Sequence, residues 1–134
     1  MSIVGISHVS LTVTDLDRAR SFWANVIGFV PKVEQADLLI VVDPNTSVTI
    51  ACVTHDDGDG DPFDERHVGL DHIALGVAGV DDLRAWEVTL DASDVIHSPI
   101  VESPFGWHLN VRAPDNIAVE LLAMKPEASA ALYG

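Results

Sequence analysis

Cysteine is almost absent: Cys52 stands alone among 134 residues, which excludes an internal disulfide and fits a reducing compartment. Basic residues are also scarce. Seven Lys and Arg, of which only Lys32 and Lys125 are lysines, face 21 Asp and Glu, for a formal charge of −14. Nucleic acid and anionic membranes would repel such a chain. No nucleic-acid or membrane partner is therefore expected, which leaves small molecules, cations or other proteins. The opening "MSIVGISHVSL" has no basic segment ahead of a long apolar run, and no stretch reaches the roughly 20 apolar residues needed to cross a bilayer. The cytoplasm is the expected location.

Apolar residues are plentiful at 48%, against 21% charged, enough to build a core and too many for a disordered chain. The length suits one domain. Within it the chain repeats itself: "HVSLTVTDLD" at residues 8–17 returns as "HIALGVAGVD" at residues 72–81. Around the first copy, residues 6–13 alternate and are rich in β-branched side chains, which predicts a strand. Thr14 or Asp15 caps a helix whose apolar positions, Leu16, Ala19, Phe22, Trp23, Val26 and Ile27, keep helical spacing until Gly28 stops it. Strands follow near 30–34, 38–43 and 47–53, the last two flanking the turn "DPNTS". The second copy predicts a strand at 71–77, a helix near 81–92 with Leu83, Trp86 and Leu90 on one face, and strands near 95–102, 107–112 and 117–123 around the turn "APDN".

Each half thus reads β-α-β-β-β, and the fold class is α+β. The expected organisation is one domain over 1–134, with a first module at 3–54, a linker at 55–69 and a second module at 70–125. The linker contains "DGDGD", which invites a calcium-loop reading. Such a loop needs Gly at its sixth position and Glu at its twelfth, and counting from Asp57 these places hold Pro62 and Val68. A solvated connector is the expectation.

In a strand, side chains two apart share a face. His8, Ser10 and Thr12 therefore project together, opposite Val9, Leu11 and Val13, and the apolar row must cover the helix. The same parity sets His72, Ala74 and Gly76 on the corresponding face of the second copy, and in "IAVELLA" it sets Glu120 there too. Either histidine alone reads equally as a hydrogen-bonded structural residue, and Glu120 alone as the wet side of a strand. Their conjunction points further, because two imidazoles and a carboxylate among apolar neighbours form a set that binds a divalent metal with coordination positions left open.

The two modules, the openings "HVSLTV" and "GLDHIALGV" and the ending "RAPDNIAVELLA" resemble the vicinal oxygen chelate superfamily, which includes glyoxalase I, fosfomycin- and bleomycin-resistance proteins, methylmalonyl-CoA epimerase and extradiol dioxygenases. The resemblance spans residues 3–125. It implies two tandem βαβββ modules in a cupped mixed sheet, and ligand places at His8, Thr49, His72 and Glu120, with His8, His72 and Glu120 as the metal ligands. Aligning "SVTIAC" with "AVELLA" sets Thr49 where glyoxalase I and the epimerase carry a second carboxylate. Threonine is a far poorer base, which weighs against isomerase chemistry. The implied cofactor is a divalent ion, Fe(II), Mn(II), Zn(II) or Ni(II). His108 and Asn110 are expected beside Glu120, His108 as acid or base and Asn110 as a hydrogen-bonding group where the dioxygenases and fosfomycin transferases place a tyrosine. Arg112 is the only basic residue near enough to serve a phosphonate. The activity implied is metal-dependent chemistry, dioxygenase- or glyoxalase-like, on a small oxygen-bearing substrate, and the apolar sheet edges of the repeats favour a homodimer. The alternative is a metal-free, bleomycin-resistance-like protein that sequesters a small molecule or antibiotic.

Overall fold

Asp15 and Gly28 bracket the first helix. The Asp15 carboxylate accepts hydrogen bonds from the backbone N–H groups of Asp17 and Arg18, satisfying two donors that a helix start leaves open. Gly28 closes the other end at φ 94°, the left-handed conformation that suits glycine. In the computed structural model, which describes residues 1–134, contacts divide the chain into two compact units, Met1–Asp61 and Pro62–Gly134.

The first unit runs β1 (Val9–Thr12), α1 (Leu16–Arg20), β2 (Val30–Glu34), β3 (Leu38–Val42) and β4 (Thr49–Val53). Past Arg20 the helix widens into a π-helical segment, Ser21–Ile27. Its longer hydrogen-bonded step matches the five-residue interval between Phe22 and Ile27, and both side chains are buried together with Trp23. The sheet order is β1-β4-β3-β2, with β1 parallel to β4 and the other pairs antiparallel. Leu11 and Val13 are buried while Ser10 and Thr12 are exposed, as the alternation predicts. Phe22, Trp23 and Phe29 pack ring on ring at centroid distances of 5.1 and 5.5 Å over this apolar side. Cys52 is fully buried here, and burial pushes its thiol up to about 11, which removes it as a thiolate nucleophile.

The second unit runs β5 (Ile73–Gly76), α2 (Val80–Ala92), β6 (Val101–Glu102), β7 (Gly106–Arg112), β8 (Ala118–Met124) and α3 (Pro126–Tyr133). Its sheet order, β5-β8-β7-β6, repeats that of the first, again with one parallel pair, β5 with β8. The class is α+β with two βαβββ modules. Asp82 accepts from the Gly79 N–H at the start of α2, and Leu83 and Leu90 are fully buried beneath that helix. Gly106 is required by close approach: a Cβ there would lie 2.2 Å from the Ala123 carbonyl oxygen.

One expectation needs correction, and two features add to the sequence reading. The strand near 95–102 contracts to Val101–Glu102, with an isolated bridge from His97 to Val111. Pro99 has no N–H to give to a ladder and interrupts the pairing at this sheet edge. No residue of the connector 55–69 is buried, and its second part is tied to the second unit. Phe63 N–H donates to the Asp115 carbonyl, the Asn116 amide donates to the Phe63 carbonyl, and Arg112 grips Glu65 at 2.6 and 3.1 Å. Helix α3, with Pro126 in its first turn, lies beyond the alternating pattern and was not anticipated, although Pro at a helix start and the alanines that follow announce it. No helix is long and apolar enough to cross a membrane.

Candidate functional site

Glu120 is the only buried charged residue of the chain. It sits at the centre of the second sheet because β8 is flanked on both sides: Ala74 of β5 and Asn110 of β7 are its register partners. Side chains of the opposite parity, Val119 and Leu121, fill the core, so Glu120 lies on the other face. A buried carboxylate is costly unless donors or a cation satisfy it. His108 supplies a donor to one oxygen, and His72 faces the other.

His72 stands one residue before β5, with its Nε2 3.1 Å from Glu120 Oε2. Its other nitrogen, Nδ1, lies 2.7 Å from Asp71 Oδ1. A carboxylate only accepts, so Nδ1 carries a hydrogen and donates to Asp71. In the neutral ring Nε2 is then a bare lone pair facing a carboxylate oxygen, an arrangement that calls for a proton or a metal ion between them. His108, two residues before Asn110 on the same face of β7, lies with Nδ1 2.7 Å from Glu120 Oε1 and Nε2 2.5 Å from Ser103 Oγ. Each oxygen of Glu120 thus has its own histidine.

The expected His72, Glu120 and His108 are brought together in the second unit. Asn110 is the cross-strand neighbour of Glu120 and is exposed. His8 belongs to the first unit, one residue before β1, as His72 precedes β5. Its Nδ1 lies 3.1 Å from Ser7 Oγ, so here too the preceding side chain engages Nδ1. Thr49 is not the counterpart of Glu120. In the first sheet Val9 pairs with Ile50 and Ser10 with Ala51, whereas in the second Ile73 pairs with Val119 and Ala74 with Glu120. Register therefore matches Glu120 with Ala51, a buried residue without a donor atom, and Thr49 Oγ1 donates to the Ser47 carbonyl. The match of "SVTIAC" to "AVELLA" is thus two residues out of register with the pairing of the strands. Ser103 and Asp71 were not anticipated. The dipeptide Asp71-His72 was the available signal for Asp71, while nothing local marks Ser103.

Arg112 is committed elsewhere. Its guanidinium binds Glu65 through two nitrogens and the Asn116 carbonyl through one, and it holds the Glu65 carboxyl down at about 2. A cleft of about 450 Å³ opens beside this pair. Both of its arginines, Arg66 and Arg112, are already matched by Asp64 and Glu65, which leaves no unmatched cation for an anionic ligand. No group of three or more His, Cys, Asp or Glu side chains forms a ready metal site.

The sequence profile of the Glyoxalase/Bleomycin resistance protein/Dioxygenase superfamily matches residues 7–107. The chain belongs to this superfamily. A solved relative, the glyoxylase/bleomycin resistance protein/dioxygenase domain from Frankia sp. EAN1pec, is 35% identical, with 92% of this chain and 100% of that chain covered and a TM-score of 0.83. The fosfomycin resistance protein FosX from Listeria monocytogenes, in a structure with Mn(II) and sulfate, is 21% identical over 99% of this chain and 100% of that chain, at a TM-score of 0.76. A possible glyoxalase from Bacillus cereus is 16% identical over 90% and 99%, at 0.73. At these lower identities the likeness is one of fold. No curated protein sequence matches the chain.

Proposed function

We propose that the protein is a divalent-metal-dependent enzyme of the vicinal oxygen chelate type, with His8, His72 and Glu120 as ligands and a small oxygen-bearing molecule as substrate. The observation that carries this reading is the pair His72 Nε2 and Glu120 Oε2, 3.1 Å apart on a buried carboxylate. Two atoms bound to one ion at about 2.1 Å and roughly a right angle lie about 3 Å apart, so the donors present suit Fe(II), Mn(II), Zn(II) or Ni(II). Asp71 on His72 Nδ1 supports it further, because a metal-ligating histidine characteristically donates its other N–H to a carboxylate. The bound ion would supply Lewis-acid stabilisation of negative charge on substrate oxygens.

The chain's own residues have separable roles in this reading. Asp71 fixes the ring of His72. Asn110, exposed beside Glu120, offers substrate a donor and an acceptor. His108 has both ring nitrogens engaged, so it acts through Glu120 and exchanges protons with substrate only if that link opens. A homodimer is the expected assembly: exposed Ile3, Val4 and Ile6 precede edge strand β1, and exposed Val68 and Leu70 precede edge strand β5.

One observation favours a second reading. Every buried side-chain nitrogen and oxygen already has a hydrogen-bond partner, as a metal-free protein that sequesters a small molecule would require. Protein purified without chelators or a metal-affinity tag decides between them. About one divalent ion per chain, lost in His72→Ala, supports the enzyme; no ion bound even after supply of Mn(II), Fe(II), Zn(II) or Ni(II) supports sequestration. Sedimentation velocity on the same sample should show two copies, and a monomer would reject the dimer.

A further inference from the structure

The turn between β6 and β7 sets a hydroxyl against the far end of His108. Ser103 Oγ is 2.5 Å from His108 Nε2 and accepts from the Phe105 N–H at 3.1 Å, while His108 Nδ1 is 2.7 Å from Glu120 Oε1. Glu120 Oε1 can only accept, so Nδ1 carries the hydrogen; Nε2 of the neutral ring is then a lone pair, and the single O–H of Ser103 points at it. The ring is gripped at both ends. A half-turn of the imidazole would put carbon atoms where both hydrogen bonds now lie.

We infer that Ser103 is a positioning residue which, through His108, turns Glu120 so that a single carboxylate oxygen, Oε2, faces His72. With Oε1 occupied by His108, the carboxylate is held for one-oxygen coordination. This favours a transition ion bound by imidazole and one oxygen at about 2.0–2.2 Å, and it handicaps Ca(II), which takes six to eight oxygens and often both oxygens of one carboxylate. The ion-selecting half of the inference rests on the metal reading above; the grip on the ring does not. The atom order Ser-His-Glu is also that of an activated serine nucleophile. The acceptance of the Phe105 N–H by Ser103 Oγ, within its own tight turn, favours the positioning role.

The test compares wild type, Ser103→Ala and Ser103→Thr, each with folding verified by its amide spectrum. In metal-free protein, exchange of the His108 Nδ1 proton with solvent, read by NMR, should be about fivefold faster in Ser103→Ala, the effect of losing one ordinary hydrogen bond, and should return to wild type in Ser103→Thr. Unchanged exchange in Ser103→Ala overturns the inference whatever the metal result. Mn(II) affinity should fall about 10–100-fold in Ser103→Ala, with a smaller loss for Ca(II), and Ser103→Thr should restore both. Equal losses for the two ions overturn the selecting role. If wild type binds neither ion, the metal reading falls and the proton-exchange result alone decides the grip. Labelling of Ser103 by a fluorophosphonate would make it a nucleophile and overturn positioning.

Discussion

Glu120→Gln distinguishes a carboxylate kept for a cation from one kept as a structural ion pair. Glutamine preserves the shape and one acceptor oxygen, so His108 Nδ1–H keeps its partner, and the new amide N–H can donate to the His72 Nε2 lone pair that Oε2 now faces at 3.1 Å. If His72 is neutral, with its hydrogen on Asp71, every hydrogen bond survives and metal-free stability changes by less than about 1 kcal/mol. If His72 is an imidazolium locked to Glu120, the substitution strands a cation beside a buried amide. Breaking a fully buried pair costs about 3–5 kcal/mol, reduced here to roughly 2 kcal/mol because His72 is 41% exposed and water screens it. The metal-bound state gives the opposite contrast. At a hundred times its Kd an ion stabilises wild type by about 2.7 kcal/mol, roughly 8–13 °C in Tm at about 3–5 °C per kcal/mol for a chain of this size. Glu120→Gln should lose nearly all of that rise. Urea unfolding of the metal-free proteins and calorimetric scans with and without Mn(II) measure both numbers. A metal-free loss of about 2 kcal/mol or more, or a Mn(II)-induced rise equal to that of wild type, would refute the assignment.

Gly106→Ala should cost at least about 2–3 kcal/mol in urea unfolding, because the new methyl meets the Ala123 carbonyl and the Met124 Cα of the paired strand, backbone that cannot step aside; an unchanged midpoint would contradict the register of β7 on β8. His97 donates to Asp91 and to the Ser98 carbonyl, and these two acceptors, the carboxylate first, raise its pKa above the ordinary 6.5. The stabilisation is present in full below the unfolded value near 6.5 and is lost as pH rises through the folded one. The stability gap between wild type and His97→Gln should therefore be widest below about pH 6 and narrow as pH rises through the raised folded value; a gap that widens with pH would show the neutral ring to be the stabilised form.

Much of the architecture was legible because its signals are local. Asp15 caps its own helix within three residues, Gly28 ends it, and the two-residue alternation of His8, Ser10 and Thr12 against Leu11 and Val13 needs only neighbouring side chains to sort exposed from buried. Glu120 was legible for the same reason, as the one acidic residue inside an apolar strand. Strand 95–102 was overestimated because alternation reports which side chains suit a sheet and not whether a partner pairs with them. Ser103 was invisible because its role depends on the hairpin that folds it back onto His108.

Alone, the order of residues determined most of the helices and strands, that the unit is duplicated, and that a histidine stands before the first strand of each copy. Only the folded chain decided that Ala51 and not Thr49 matches Glu120, that Asp71 and Ser103 hold the outer nitrogens of the two histidines, and that residues 62–67 belong to the second unit through Arg112 and Asn116. The physical reason is range. Helix caps and strand faces are set by groups a few bonds apart, whereas register and side-chain convergence are set by hydrogen bonds between strands whose separation along the chain carries no fixed phase.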